Sequence, residues 1–148
     1  MVAFENSIGI DRPLDDVFAF VTDVANDPAW HTDVIEGRKV SEGPIGIGSK
    51  LQIRIKPFMG VSEGVEEVIG YEPNRTYQVR AEMGPMRPTL TCRFVPVDGG
   101  TRFTRRVEIQ TSGPMRLLMR LLWPVMARRN AGFVANLKRV LEQGLPPT

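Results

Sequence analysis

"TLTCRFVPVDGGTRFTRRVEIQ", residues 89–110, decides how this chain folds. In its first half Leu90, Cys92 and Phe94 alternate with polar neighbours, so they share one face of a strand. "DGG" at 98–100 is a tight hairpin turn. In the second half Phe103, Val107 and Ile109 share a face, with Arg105 among them. The pattern predicts a long antiparallel hairpin with one apolar face.

The same pattern runs upstream. "TYQVRAEM" (76–83) groups Tyr77, Val79, Ala81 and Met83. "KLQIRIK" (50–56) groups Leu51, Ile53 and Ile55. "VIEGRKV" (34–40) and "GVSEGVEEVIGY" (60–71) read as strands, set off by the loop "SEGPIGIGS" and the turn "EPN". "VAFENSIGI" (2–10) is a first strand with Phe4, Ile8 and Ile10 on one side. Two helical stretches follow it. "DRPLDDVFAFVTD" has Asp11 as an expected cap, Pro13 in its first turn and the apolar stripe Val17, Phe18 and Val21. "NDPAWHTDV" has Asp27 as an expected cap followed by Pro28.

Downstream, "GPMRLLMRLLWPVMARRNAGFVANLKRVLEQG" (113–144) predicts one helix of nearly thirty residues, bent or divided at Pro124. Past the proline, Val125, Met126, Phe133, Leu137, Val140 and Leu141 recur at helical spacing. Gly144 is the expected C-cap, and "GLPPT" a short tail. The predicted class is α+β. Successive strands joined by short turns are antiparallel, and their apolar face needs a cover that only the last helix is long enough to give. One helix cannot fill a strongly curved sheet, so a cavity is expected between them, of the kind that takes small apolar molecules.

Composition narrows the function. The 148 residues suit a single domain spanning 1–148. A net charge of +2 implies no nucleic-acid partner. One cysteine excludes an intrachain disulfide, and with one histidine it excludes the common Cys/His zinc sites. There is no secretory pattern at the N-terminus and no apolar run long enough to span a bilayer, so a cytoplasmic protein is expected.

Several stretches resemble a known family: "IGIDRPLDDVFAFVTDVANDPAW" (8–30), "GPIGIGSKL" (43–51), "EEVIGYEPNRTY" (66–77), "DGGTRFTRRVEI" (98–109) and "ANLKRVLEQ" (135–143). They resemble the START-related SRPBCC superfamily, in its polyketide cyclase/dehydrase and lipid-transport branch. The resemblance implies a helix-grip fold: a curved seven-stranded antiparallel sheet around a long C-terminal helix, with two short helices after the first strand. It also implies a deep apolar pocket, usually without metal or tightly bound cofactor, and a place for Trp30 beside that pocket. It does not fix function, because the fold carries carriers, receptors, cyclases and stress-response proteins.

The residues expected to bind ligand are Trp30, Tyr77, Phe94, Phe103, Arg105, Met126 and Phe133. No catalytic residue is assigned. His31, the only histidine, reads as wall rather than catalyst, since Asp27 and Asp33, the local groups that could orient it, also fit as a helix cap and a solvated turn residue. Cys92, on an apolar face, reads as an inert buried thiol. Glu63 and Glu67 would face the cavity if they share a side with Val61, Val65 and Ile69. A one-residue change of register would turn them outward and put Val68 inside. Arg105 points inward by alternation. Unless a bulge or a place at the strand's mouth lets it reach solvent, it must then meet an acid such as Glu67, backbone carbonyls, water, or an anionic ligand group held in two parallel hydrogen bonds.

Three readings of function follow. One is a carrier or binding protein for a lipid-like or polyketide-like molecule, the reading preferred here. Another is a cofactor-independent cyclase or dehydratase with Arg105, Tyr77 and Glu67 as scattered candidates. The last is an interaction protein whose pocket is vestigial. In "MRLLMRLLW" (115–123) the apolar residues cannot all face one side of a helix. The pocket entrance, with the arginines simply solvated, a membrane surface, with Arg116 and Arg120 at its headgroups, or a second copy of the chain is a candidate cover.

Overall fold

The computed structural model describes residues 1–144, so the tail from Leu145 onward lies outside the described residues. The elements in chain order are β1 (Val2–Ile10), α1 (Leu14–Thr22), a 3-10 turn (Val24–Asn26), α2 (Asp27–Trp30), β2 (Val34–Lys39), β3 (Lys50–Phe58), β4 (Val61–Glu72), β5 (Thr76–Glu82), β6 (Arg87–Val97), β7 (Gly100–Gln110) and α3 (Pro114–Gln143). The seven strands form one antiparallel sheet in the order β1-β7-β6-β5-β4-β3-β2. Every strand from β2 to β7 pairs with its sequence neighbour, and β1 closes onto β7. This is the helix-grip α+β fold.

The 89–110 hairpin behaves as its alternation requires. In β7 Thr101, Phe103, Arg105, Val107 and Ile109 are buried, and the residues between them are not. The β6–β7 pairing is unbroken from Arg87↔Gln110 to Val97↔Gly100. Gly100 is required where β7 begins, because a Cβ there would sit 2.4 Å from the Ile10 carbonyl oxygen.

Two apolar clusters fill the molecule. The larger joins α1, α2 and the second half of α3 to the strands; its centre includes Val17, Phe18, Trp30, Leu51, Val68, Phe94, Phe103 and Leu137. The smaller seats the first half of α3 on the other end of the sheet, with Met119 between Val2, Phe4, Val107 and Ile109. The cavity lies between them.

Some local expectations need correction. Asp11 does not cap α1. Pro13 occupies the cap position in extended conformation, and the Asp11 backbone N–H donates to Glu142 Oε2 at 2.6 Å, tying the start of α1 to the end of α3. Asp27 does not cap α2 but is its first residue, after Asn26. Pro124 does not divide α3, which runs unbroken for 30 residues. Pro124 is exposed, so the carbonyl it leaves without a helical N–H partner can be solvated. Val125 does not join the buried stripe; it is 53% exposed. Gly144 closes the helix in the left-handed region, its N–H on the Val140 carbonyl.

Candidate ligand cavity

Curvature of the sheet leaves a cavity of about 560 Å³ between its concave face and α3. That is well within the range of small-molecule sites. Its floor is the row of inward-facing β3–β7 side chains, such as Ile53, Val79, Cys92 and Val107, and its roof is the middle of α3. The lining residues that are also exposed, Lys56, Pro57 and Phe58 at the end of β3 with Val125 and Arg129 on α3, mark the open side.

Of the residues named from sequence, Trp30, Tyr77, Arg105, Met126 and Phe133 line this cavity. Phe94 and Phe103 do not. They sit behind the wall, packed on each other at 5.4 Å, with Phe18 edge-on to Phe94 and Trp30 edge-on to Phe103. Alternation identifies the inner face of a strand, but not whether a side chain on that face meets the cavity or another part of the core.

One part of the wall is polar. Arg105 is 6% exposed. Its guanidinium donates to Asn130 Oδ1 and lies 5.7 Å from the centre of the Trp30 ring. Asn130 is locked in turn, since its Nδ2 donates to Asn6 Oδ1 and to the Arg105 carbonyl. α3 and β7 thus hold the guanidinium in place. No carboxylate pairs directly with it among the described residues, and Glu67 in particular is elsewhere.

The carboxyls on the wall are Asp27 and Glu66 and, nearer the open side and paired with Arg129, Asp33. The pair Glu63/Glu67 is corrected here. Glu67 points outward to Lys50 at 3.0 Å and Arg80 at 3.5 Å. Glu63 is exposed, and Val68 is inside and fully buried. The cause is a bulge in β4: pairing steps from Val68↔Val79 to Gly70↔Gln78, leaving Ile69 unmatched. On the near side of the bulge Gly64, Glu66 and Val68 face inward. Burial pushes the Glu66 carboxyl up to about 7, against a partly opposing pull from Arg105. Asp27 is raised as well, by burial first and by the charge of Glu66 second.

His31 is on the wall, as read. It stacks on Phe133 at 4.1 Å and meets Trp30 edge-on. Burial, then Arg105, hold its pKa well below the usual histidine value, so the ring is neutral. Its Nδ1 and the Trp30 Nε1 are buried without a hydrogen-bond partner. Tyr77 is held protonated, chiefly by burial. The Cys92 thiol is pushed up to about 12 by burial, which removes its nucleophile.

A curved antiparallel sheet gripping a long helix, with an apolar cavity between them that carries a polar patch, defines a helix-grip protein of SRPBCC type. Residues 1–142 match the family model for polyketide cyclase / dehydrase and lipid transport, and the chain belongs to that family. Among solved structures, the chain is similar to the di-domain ARO/CYC BexL from the BE-7585A biosynthetic pathway. The TM-score is 0.77 at 18% identity, over 96% of this chain and 47% of that one. It is similar to DR_A0006 from Deinococcus radiodurans, with TM-score 0.71 and 15% identity over 98% and 100% of the two chains. The Aha1 dimer from Colwellia psychrerythraea has TM-score 0.66 and 18% identity over 97% and 98%. At these identities the likeness is one of fold. No protein of curated function matches the sequence.

Proposed function

We propose that the chain binds one amphipathic small molecule, lipid-like or polyketide-like, with its apolar body along the sheet and its head at Arg105. The observation that carries this reading is an apolar cavity of about 560 Å³ whose wall holds a fixed, buried guanidinium. An interior evolved only for stability would be packed. The test is titration with an environment-sensitive apolar dye, alongside native mass spectrometry for a co-purified molecule. Saturable dye binding, lost in a variant that fills the cavity such as Val79→Trp with the fold intact, is expected. A dye that never enters the native protein overturns the reading.

The rim of the cavity favours a bilayer as the place where that molecule is collected. Leu117 (62% exposed) and Leu121 (69%) continue the stripe of Val125 one and two turns up α3, and Phe58 and Met59 project from the β3–β4 turn. Met115, Leu118, Met119 and Leu122 face the core instead. Residues 114–141 contain no acid. Arg116, Arg120 and Arg128 have no carboxylate partner among the described residues. A second copy docked on this face would oppose these arginines to their own equivalents, whereas an anionic headgroup layer complements them. The protein should sediment with phosphatidylcholine vesicles containing phosphatidylglycerol, and Leu117→Asp with Leu121→Asp should weaken this about tenfold or more. Failure to bind such vesicles, or dimerisation through this face, overturns the bilayer reading. Among the described residues no helix is long and apolar enough to cross a membrane.

A further inference from the structure

Around the polar patch the groups do not balance. Two carboxyls, Asp27 and Glu66, face the cavity with one guanidinium, and that guanidinium is bonded to Asn130 rather than to either acid. The other ionic groups on the wall are nearer the open side: Lys56, and Asp33 paired with Arg129. Trp30, 3% exposed and part of the same wall, has its Nε1 hydrogen without an acceptor. Arg105 and Trp30 therefore supply donors to this end of the cavity, and Asp27 and Glu66 supply acids.

We propose that this end of the cavity selects a neutral head that carries both a hydrogen-bond acceptor and a donor, such as an amide, hydroxyketone or enol, and rejects a carboxylate. The inference rests on the cavity being a binding site. A carbonyl oxygen turned to Arg105 and the Trp30 Nε1 hydrogen answers the donors. A hydroxyl or amide hydrogen turned to Asp27 or Glu66 answers the acids. A carboxylate head would satisfy Arg105 but bring a third acid into a place where burial already opposes ionisation of the first two. Arg105 alone, as read from the sequence, fits an anion. The neighbours supplied by α2 and β4 reverse that preference.

The experiment is displacement of the bound dye at pH 8, where Glu66 is ionised, by three ligands of one chain length: decanamide, decanoate and decylammonium. Decanamide should bind about tenfold or more tighter than decanoate, the penalty of placing like charges together. Glu66→Gln should narrow that gap by improving decanoate relative to decanamide. Asp27→Asn, read the same way, provides a second variant if the first does not fold. Decanoate binding as well as or better than decanamide overturns the proposal, as does decylammonium binding tightest, or a gap unmoved in both variants. If the dye binds and none of the three displaces it, the proposal also fails. If no dye binds at all, the failure is that of the cavity as a binding site.

Discussion

Phe103→Ala is expected to cost about 3–5 kcal/mol of folding stability. Phe103 is fully buried at the junction of three layers. On the sheet it lies between its pairing partners, Ile8 in β1 and Phe94 in β6. Above it Trp30 presents an edge at 6.2 Å and 88°. Truncation therefore leaves a new void under α2, in a region held rigid by strands on both sides, where little can move in to fill it. In a chain of this size the loss lowers the melting temperature by about 10 °C. Phe133→Ala is the control. Its ring is also buried, but it lines the existing cavity, so its removal enlarges space already present. The expected order in urea or thermal unfolding is a larger loss for Phe103 than for Phe133. Equal losses, or the reverse order, would show that Phe103 is not a keystone of this wall. The dye should also bind less tightly to Phe103→Ala, because Trp30 loses the surface that positions it.

These two phenylalanines show what the sequence could and could not disclose. Strict alternation in β7 made the inner face of Phe103, Arg105, Val107 and Ile109 readable, because a strand has a period of two and one buried side. The order of elements and the long helix at the end then left little choice of architecture. The site was less legible. Alternation cannot distinguish cavity from core on the same face, hence the misplacement of Phe94 and Phe103. A bulge resets the alternation, so Ile69 hid the fact that Glu66, not Glu63 or Glu67, faces inward. The "EEV" run at 66–68 held the alternative register, but nothing local selects it. Asp27 was hidden differently. In the sequence it precedes Pro28 and reads as a cap, and only the packing of α2 against the sheet turns its carboxyl toward Arg105. The resemblance to the family placed Trp30 beside the pocket, but gave no hint that its Nε1 would lack a partner there.

Stability should fall as pH rises from about 4.5 to about 7, in the part that Glu66 contributes. In the unfolded chain the carboxyl ionises at its ordinary value of 4.5; in the native cavity it holds its proton to about 7. Below the lower value both states are protonated and Glu66 costs nothing. Between the two, the unfolded state releases a proton that the native state keeps, and the native state loses about 1.4 kcal/mol for each pH unit. Above about 7 both are ionised and the whole cost, about 3 kcal/mol, is in place. Asp27 is raised too and acts in the same direction. His31 acts in the opposite one, since its pKa is lowered and the unfolded state gains its proton first as pH falls. A raw profile of the native protein therefore mixes opposing slopes. The difference between the native protein and Glu66→Gln removes the terms they share. That difference should be close to zero at pH 4.5 and should grow to about 3 kcal/mol in favour of glutamine by pH 8. Chemical unfolding of both proteins across this range measures it. If glutamine is no more stable than glutamate at pH 8, the ionised carboxylate is compensated inside the cavity. Arg105 would then be its direct partner and not, as the geometry has it, the partner of Asn130.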